Sequence, residues 1–288
     1  METIMLRILT FNAGLLKLKL FGRTLVEPAP YVDERFPYLA PALLSSGADI
    51  IALQEVYDRK HQARLADDLK AAYPHHAVSP IRPWRPLGAA LMLLSKFPIA
   101  ETQFIMFKDV PPDERLFVDK GMIVATVDAG SFGPIVISNS HHTSGGMLHH
   151  PEGAYTSRAR SRQYRQLFDV LDRDASADRF AVGDFNCGPE ALPKNYQELL
   201  SSGYTDAWAA CHNASAPTWD PKNELNAHGP HRLTSAQRMD HILFRAGARR
   251  SITVKDVNII FNDPCVSVSG GRKVTISDHY GLAADLER

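Results

Sequence analysis

Short apolar runs of strand length recur along the whole chain, and they limit its fold more than any other feature. They lie at 6–11, 49–53, 89–94, 122–127, 135–138, 180–182, 241–244 and 251–261. Helical patterns lie between several of them, at 38–46, 59–73, 156–173 and 190–202. Because helices alternate only partly with strands, mixed sheets are favoured over a purely parallel one. With no Gly/Ser-rich or Pro-rich linker, the pattern predicts one α/β domain over residues 1–288.

One of these runs ends in a polar motif, where residues 181–187 read Ala-Val-Gly-Asp-Phe-Asn-Cys. Asp184 and Asn186 occupy alternate positions, so an extended chain turns both side chains to the same face. A carboxylate there can hold Mg²⁺ or position a water, and an amide can donate to a phosphoryl oxygen. The motif also fits an ordinary exit from a strand into a turn, where Gly, Asp and Asn are favoured.

Other polar residues also stand at the ends of apolar runs. Asn12 and Glu55 each close such a run, where they suit a cation at a sheet edge or a solvated strand end. Further on, a strand breaks into a loop at His141-His142, and an imidazole there can exchange a proton near neutral pH. Adjacent residues of a strand point to opposite sides, so only one of these two rings should face a pocket.

Two Asp-His pairs lie near the C-terminus, Asp240-His241 and Asp278-His279. Asp240 could orient the ring of His279 and raise its basicity, while Asp278 could reach a cation. A capped turn is the structural alternative for either pair. Two further histidines, His149 and His150, are candidate metal ligands or plain surface residues.

In chain order these residues resemble the motif series of the endonuclease/exonuclease/phosphatase superfamily. The motifs are Asn12, Gln54-Glu55, Asn139-Ser-His141, Gly183-Asp184-Phe-Asn186, Arg238-Met-Asp240 and Ser277-Asp278-His279. The resemblance implies a four-layer α/β sandwich of two packed mixed sheets flanked by helices. It also implies Mg²⁺-dependent attack of water on a phosphate ester, with Mn²⁺ or Ca²⁺ as alternative ions.

The same resemblance implies roles for individual residues. Glu55, supported by Asn12, would be the main metal ligand, and Asp278 would be a further ligand. Asp184 would orient the water or help to bind the metal, and Asn186 would hold the phosphoryl group. The general base would be His279, oriented by Asp240. His141 would stabilise the transition-state charge or protonate the leaving oxygen.

Three patterns resemble the neutral sphingomyelinase-like branch of this superfamily. They are Thr218-Trp219-Asp220-Pro-Lys-Asn223, Ser277-Asp-His-Tyr280 and the spacing of Arg158, Arg162 and Gln163. Trp219 and Arg158 are the substrate contacts that this resemblance suggests, although Trp219 could equally anchor its own loop. A nuclease of deoxyribonuclease or abasic-site type using the same site is the main alternative. An inositol phosphate phosphatase and a catalytically silent binding module are further alternatives.

Bulk properties and a few segments bear on the partners. Lys plus Arg equals Asp plus Glu, at 32 each, so no net charge favours a nucleic acid. Residues 15–21 alternate Leu with Lys and could touch a membrane or form a strand lying on the core; Trp84 is a second candidate for lipid contact. No obligate protein partner is evident. With three scattered cysteines and no visible signal peptide or spanning segment, we expect a cytoplasmic protein.

Overall fold

The computed structural model describes residues 4–82, 87–145, 152–227, 229, 232–248 and 251–288. Its strands are β1 (Met5–Asn12), β2 (Leu18–Leu20), β3 (Arg23–Val26), β4 (Ile50–Gln54), β5 (His75–Val78), β6 (Met92–Ser95), β7 (Ile99–Met106), β8 (Gly121–Asp128), β9 (Pro134–His141), β10 (Asp178–Asp184), β11 (Thr205–Asp206), β12 (Asp240–Arg245), β13 (Thr253–Ile260), β14 (Val266–Ser267), β15 (Lys273–Val274) and β16 (Gly281–Glu287). Its α-helices are α1 (Val32–Ser45), α2 (Arg59–Leu69), α3 (Pro112–Phe117), α4 (Ala154–Leu171), α5 (Pro193–Leu200) and α6 (Ala207–Cys211).

Two six-stranded sheets form the body of the protein. Their strand orders are β13-β16-β1-β4-β6-β5 and β11-β12-β10-β9-β8-β7. Each sheet contains one parallel pair, β1 with β4 and β9 with β10, among antiparallel neighbours. Both sheets are therefore mixed, as the incomplete alternation of helices and strands predicted. Two small hairpins, β2-β3 and β14-β15, lie outside these sheets.

The main core lies between the two sheets, and helices cover their outer faces. Alternate residues of the central strands point inward, which is the period of a pleated strand. The inward set includes Leu6, Ile8, Ile50, Ala52, Ile135, Ile137, Phe180, Val182, Ile242 and Phe244. On the outer faces, α1 and α2 pack on the first sheet, and α4 and α5 pack on the second. This arrangement confirms the predicted four-layer sandwich.

Some element bounds differ from the sequence predictions, for identifiable reasons. Helix α1 begins at Val32, whereas the sequence predicted a start at 38. Pro37 and Pro41 both lie inside the helix, and its apolar stripe is buried against the first sheet. Strand β7 went unpredicted because it is an edge strand whose residues are mostly exposed, so it lacks an apolar run.

Candidate active site

The central strands carry their polar residues to one rim of the sandwich. The inward rows of β1, β9, β10 and β12 are apolar in the middle of the sandwich and carry the polar side chains of Asn12, His141, Asp184 and Asp240 at the rim, with Thr10 and Asn139 one inward position before Asn12 and His141. In the register of the second sheet, Asp184 lies directly opposite Asp240 on one side and His141 on the other. Strand periodicity and register therefore bring together residues that are far apart in sequence.

Amide side chains link the two sheets across this rim. Asn12 Nδ2 donates to Asp184 Oδ2 over 3.0 Å and to Glu55 Oε1 over 3.4 Å. Deeper in the sandwich, Gln54 Nε2 donates to Asn139 Oδ1 over 2.8 Å. Gln54 and Asn139, which precede Glu55 and His141 in their motifs, thus form a structural link between the two sheets below the rim.

Strained backbone positions Glu55 and Asn186. Their φ angles are 59° and 52°, a left-handed conformation that non-glycine residues seldom adopt. Asn186 is held by two hydrogen bonds, from its N–H to Asp184 Oδ1 at 2.8 Å and from its Nδ2 to the carbonyl of His142 at 2.9 Å. The motif therefore forms the turn that the sequence offered as one interpretation, and this turn holds Asp184 and Asn186 at the rim.

The two histidines of the rim have different environments. His279 Nδ1 lies 2.9 Å from Asp240 Oδ2, and His279 Nε2 lies 4.0 Å from Asp184 Oδ2. His141 Nε2 lies 3.5 Å from Asp184 Oδ2. His142, on the opposite face of the strand end, stacks between Phe107 and Phe185. Only one ring of the His141-His142 pair faces the rim.

Burial and crowding of like charges shift the pKa values of the rim carboxylates. Burial and then the charge of Asp278 raise the pKa of Glu55 to about 7. Burial and then the charge of Asp240 raise the pKa of Asp184 to about 6. Burial is the larger cause of both shifts, and the neighbouring carboxylates add to it.

The pKa values of the two histidines shift in opposite directions. Burial alone would lower the pKa of His279, but the adjacent Asp240, with smaller contributions from Asp184 and Asp278, raises it to about 10. For His141, burial and then the positive charges of Lys120 and His279 hold the pKa well below its usual range. The lowered pKa favours the neutral ring of His141, and the raised pKa favours the imidazolium of His279.

The donor set of the rim fits a divalent cation. Carboxylate oxygens are the donors that hard cations prefer, and Glu55 and Asp184 lie on either side of the Asn12 side chain. Asn12 turns its Nδ2 to both carboxylates, while its Oδ1 accepts a hydrogen bond from the Gly14 N–H. Asp184, Asp240 and His279 lie close enough to share an ion, with one candidate ligand atom from each within 4.8 Å of the others.

A model of the endonuclease/exonuclease/phosphatase family matches residues 9–279 of this chain. The chain belongs to that family. A neutral sphingomyelinase candidate of Drosophila melanogaster is 26% identical to this family member over 90% of this chain and 58% of its own length. The chain therefore spans little more than half of that relative.

Solved structures share the fold of this family member. Sphingomyelinase C from Streptomyces griseocarneus superposes with a TM-score of 0.75 at 21% identity, covering 98% of this chain and 99% of the other. A Staphylococcus aureus beta toxin structure with bound magnesium ions superposes with a TM-score of 0.78 at 15% identity, covering 97% and 98%. At these identities the similarity establishes the architecture alone.

Asp278 approaches the rim from a loop that packs against the end of β1. Its Oδ1 accepts a hydrogen bond from Ser277 Oγ, which also donates to the carbonyl of Asn12 at 2.7 Å. A Cβ atom on Gly14 would come within 2.2 Å of Asp278 Oδ1, and the φ of Gly14 is +55°. Only glycine allows the backbone after Asn12 to pass this close to the carboxylate.

Lys120 is a rim residue that sequence reasoning missed. It immediately precedes β8, is 6% exposed, and its charge opposes the raised pKa values of both Glu55 and Asp184. Its position follows from register, because the next residue, Gly121, pairs with His141. The sequence held no motif around Lys120, and only the pairing of β8 with β9 could have revealed it.

The two predicted substrate contacts differ in where they lie: Trp219 packs beside the rim, and Arg158 lines a separate cavity. Trp219 is 6% exposed, and its backbone bridges to Gln237 and His279, so it braces the loop of the proposed base. Arg158 is exposed on α4 and lines a cavity of about 330 Å³ with Arg115 and Arg162. Neither residue makes a hydrogen bond with the rim among the described residues.

Several predicted residues fall outside the described part of the chain, namely Trp84, His149 and His150. None of the described helices combines the length and apolar character needed to cross a membrane.

Proposed function

We propose that this chain is a Mg²⁺-dependent phosphodiesterase that hydrolyses a sphingomyelin-like phospholipid. The observation that carries the proposal is the meeting of a His279–Asp240 dyad with the Glu55 and Asp184 carboxylates at one rim. This combination provides a base, an orienting group and cation ligands around one space. The relatives named as sphingomyelinases support the choice of substrate class.

Glu55 and Asp278 would hold the cation, with Asp184 close by and Asn12 supporting Glu55 and Asp184 through its amide N–H groups. When bound, a divalent cation would supply positive charge that offsets the phosphoryl oxygens and the contributions of Asp184 and Asp278 to the raised pKa of His279, while Asp240 stays paired with the ring. With that charge balanced, His279 Nε2 takes a proton from the attacking water, since Nδ1 is already engaged by Asp240. Asp240 keeps the ring oriented and stabilises the imidazolium that forms.

The remaining rim residues act on the phosphate and the leaving group. His141 is neutral, so its N–H donates a hydrogen bond to charge that develops on the phosphoryl or leaving oxygen. The Asn186 amide is positioned by its bond to the His142 carbonyl and contacts a phosphoryl oxygen. Lys120 adds positive charge at the same rim. Water oxygen joins phosphorus as the P–O bond to the lipid alcohol breaks, and the leaving alkoxide is protonated in net terms by the proton that His279 took from the water.

A side-by-side assay tests this function. Sphingomyelin in mixed micelles, bis(p-nitrophenyl) phosphate, abasic duplex DNA, single-stranded DNA and inositol phosphates are each supplied with Mg²⁺, Mn²⁺ or Ca²⁺. We expect phosphocholine release from sphingomyelin with the highest kcat/KM, supported best by Mg²⁺ and abolished by chelator. Faster cleavage of either DNA substrate than of sphingomyelin would favour the nuclease alternative over the phospholipid phosphodiesterase. If none of these esters is hydrolysed, the alternative of a catalytically silent binding module would be favoured.

A further inference from the structure

The β2-β3 hairpin stands out from the body of the protein and exposes apolar side chains. It joins neither six-stranded sheet and pairs only with itself, Leu18 with Val26 and Leu20 with Arg23. At its tip Phe21 is 96% exposed, and Leu20 and Leu25 are 51% and 58% exposed. Within residues 15–21, Leu15 packs in the core, whereas Leu20 and Phe21 at the other end are exposed, an arrangement that marks interaction sites.

The turn of this hairpin contradicts local sequence preference. Its two turn residues, Phe21 and Gly22, both have positive φ angles, 50° and 78°. Such two-residue turns favour Asn-Gly, and a bulky aromatic residue in the left-handed region is an outlier. Because Phe21 buries almost nothing, it gains no packing that would offset this strain. Phe21 therefore departs from the turn preference without stabilising the fold, which points to a role in contact with a binding partner.

The base of the hairpin, in contrast, is held firmly to the catalytic rim. Arg35 is fully buried on α1 and donates hydrogen bonds to main-chain carbonyls before the hairpin, after it and in the loop that leads to Asp278. The acceptors are Ala13, Gly14, Ala29, Pro30 and Ile276. Lys17 and Glu27 add an ion pair at 3.0 Å across the base. The base of the hairpin therefore has a fixed position relative to Asn12 and Asp278.

Basic residues accompany the apolar tip. Lys19 and Arg23 are exposed on either side of Phe21; Lys19 also lies 3.4 Å from Asp33, so Arg23 is the basic residue beside the tip that has no acidic partner within the hairpin itself. Aromatic and leucine side chains suit the boundary between headgroups and acyl chains, while lysine and arginine suit lipid phosphates. The hairpin thus carries both kinds of contact that a phospholipid surface offers.

We propose that the β2-β3 hairpin docks this enzyme on a phospholipid bilayer, with Phe21 inserted at the headgroup boundary. Because Arg35 ties the hairpin to the rim, docking also places the rim next to the bilayer. The relevance of docking to catalysis rests on the proposed function, but the docking itself does not require that sphingomyelin be the substrate.

Vesicle binding tests the proposal separately from catalysis. The full chain is sedimented with phosphatidylcholine vesicles, with and without phosphatidylserine and always without sphingomyelin. The test variant is Phe21→Asn, because Asn-Gly suits this turn and should keep or raise Tm. We expect its partition to fall roughly tenfold, the effect of losing one buried aromatic side chain. Phe21→Trp should retain binding.

Met5 provides the control, since it is 43% exposed at the opposite end of β1 from Asn12 and the rim. Met5→Asn should bind vesicles like the wild type. On sphingomyelin vesicles Phe21→Asn should lose activity, while its kcat/KM for bis(p-nitrophenyl) phosphate stays unchanged.

Three results would overturn the docking proposal. They are wild-type protein that does not sediment with vesicles, equal binding by Phe21→Asn, and a Phe21-dependent dimer seen by size exclusion. If instead vesicle binding depends on Phe21 but sphingomyelin is not hydrolysed, docking holds and the substrate assignment fails.

Discussion

Replacing Asp240 with asparagine should greatly weaken the proposed base while preserving its shape. Asp240 Oδ2 lies 2.9 Å from His279 Nδ1, and both side chains are almost completely buried. Two unit charges about 4 Å apart interact by about 4 kcal/mol at an effective dielectric constant of about 20, which equals about 3 pKa units. If the imidazolium loses this stabilisation during proton transfer, kcat/KM falls by up to about 10³.

The assay is turnover of bis(p-nitrophenyl) phosphate at saturating Mg²⁺ by Asp240→Asn, His279→Ala and the double variant. Because Asp240 is proposed to act through His279, the double variant should lose no more activity than His279→Ala alone. Thermal unfolding of each variant serves as the control for folding. The reasoning is refuted if Asp240→Asn retains activity within threefold of wild type, or if the losses of the two single variants multiply in the double variant.

Three further predictions concern residues around the rim. Arg35→Met should destabilise the protein by more than about 3 kcal/mol in urea unfolding, because it strands buried carbonyls, and Arg35→Lys should not restore the lost stability. Burial alone would raise the pKa of Asp206, but His241 and Arg238 hold it well below its usual range. Asp206 therefore stabilises the fold above its unfolded pKa of about 4, and the stability gap between wild type and Asp206→Asn should shrink as pH falls below that value. A gap that is equal at neutral and acidic pH would contradict this assignment. Lys120→Met should lower kcat/KM about tenfold or more with Tm unchanged, and wild-type kinetics would remove Lys120 from phosphate binding.

Local strand and helix patterns were sufficient to predict mixed sheets and polar residues at strand ends, and the family resemblance implied the four-layer sandwich. Asp184 and Asn186 occupy alternate positions after an apolar run, and Asn12 and Glu55 end theirs, so strand periodicity alone sends them to a sheet edge. The resemblance to the family motifs then assigned a role to each of these residues. Their distances depended on register, which pairs Asp184 with both Asp240 and His141.

What escaped prediction depends on long-range packing. Arg238 belongs to the Arg-Met-Asp motif, yet its guanidinium lies in a buried network with Asp206, Tyr196 and His241. Nothing in the sequence separates such a structural arginine from a catalytic one. For residues 15–21, Leu-Lys alternation is equally compatible with a core strand and an exposed hairpin, and only the surrounding structure decides.

The central claim is that Glu55 holds a divalent cation at the rim while His279 acts on water. Isothermal titration calorimetry with Mg²⁺ tests it most directly, on the wild type, Glu55→Gln and His279→Ala. We expect Glu55→Gln to bind Mg²⁺ at least about tenfold more weakly and to be inactive. His279→Ala should bind Mg²⁺ like the wild type and also be inactive. Undiminished Mg²⁺ affinity in Glu55→Gln, or affinity lost only in His279→Ala, would contradict the account.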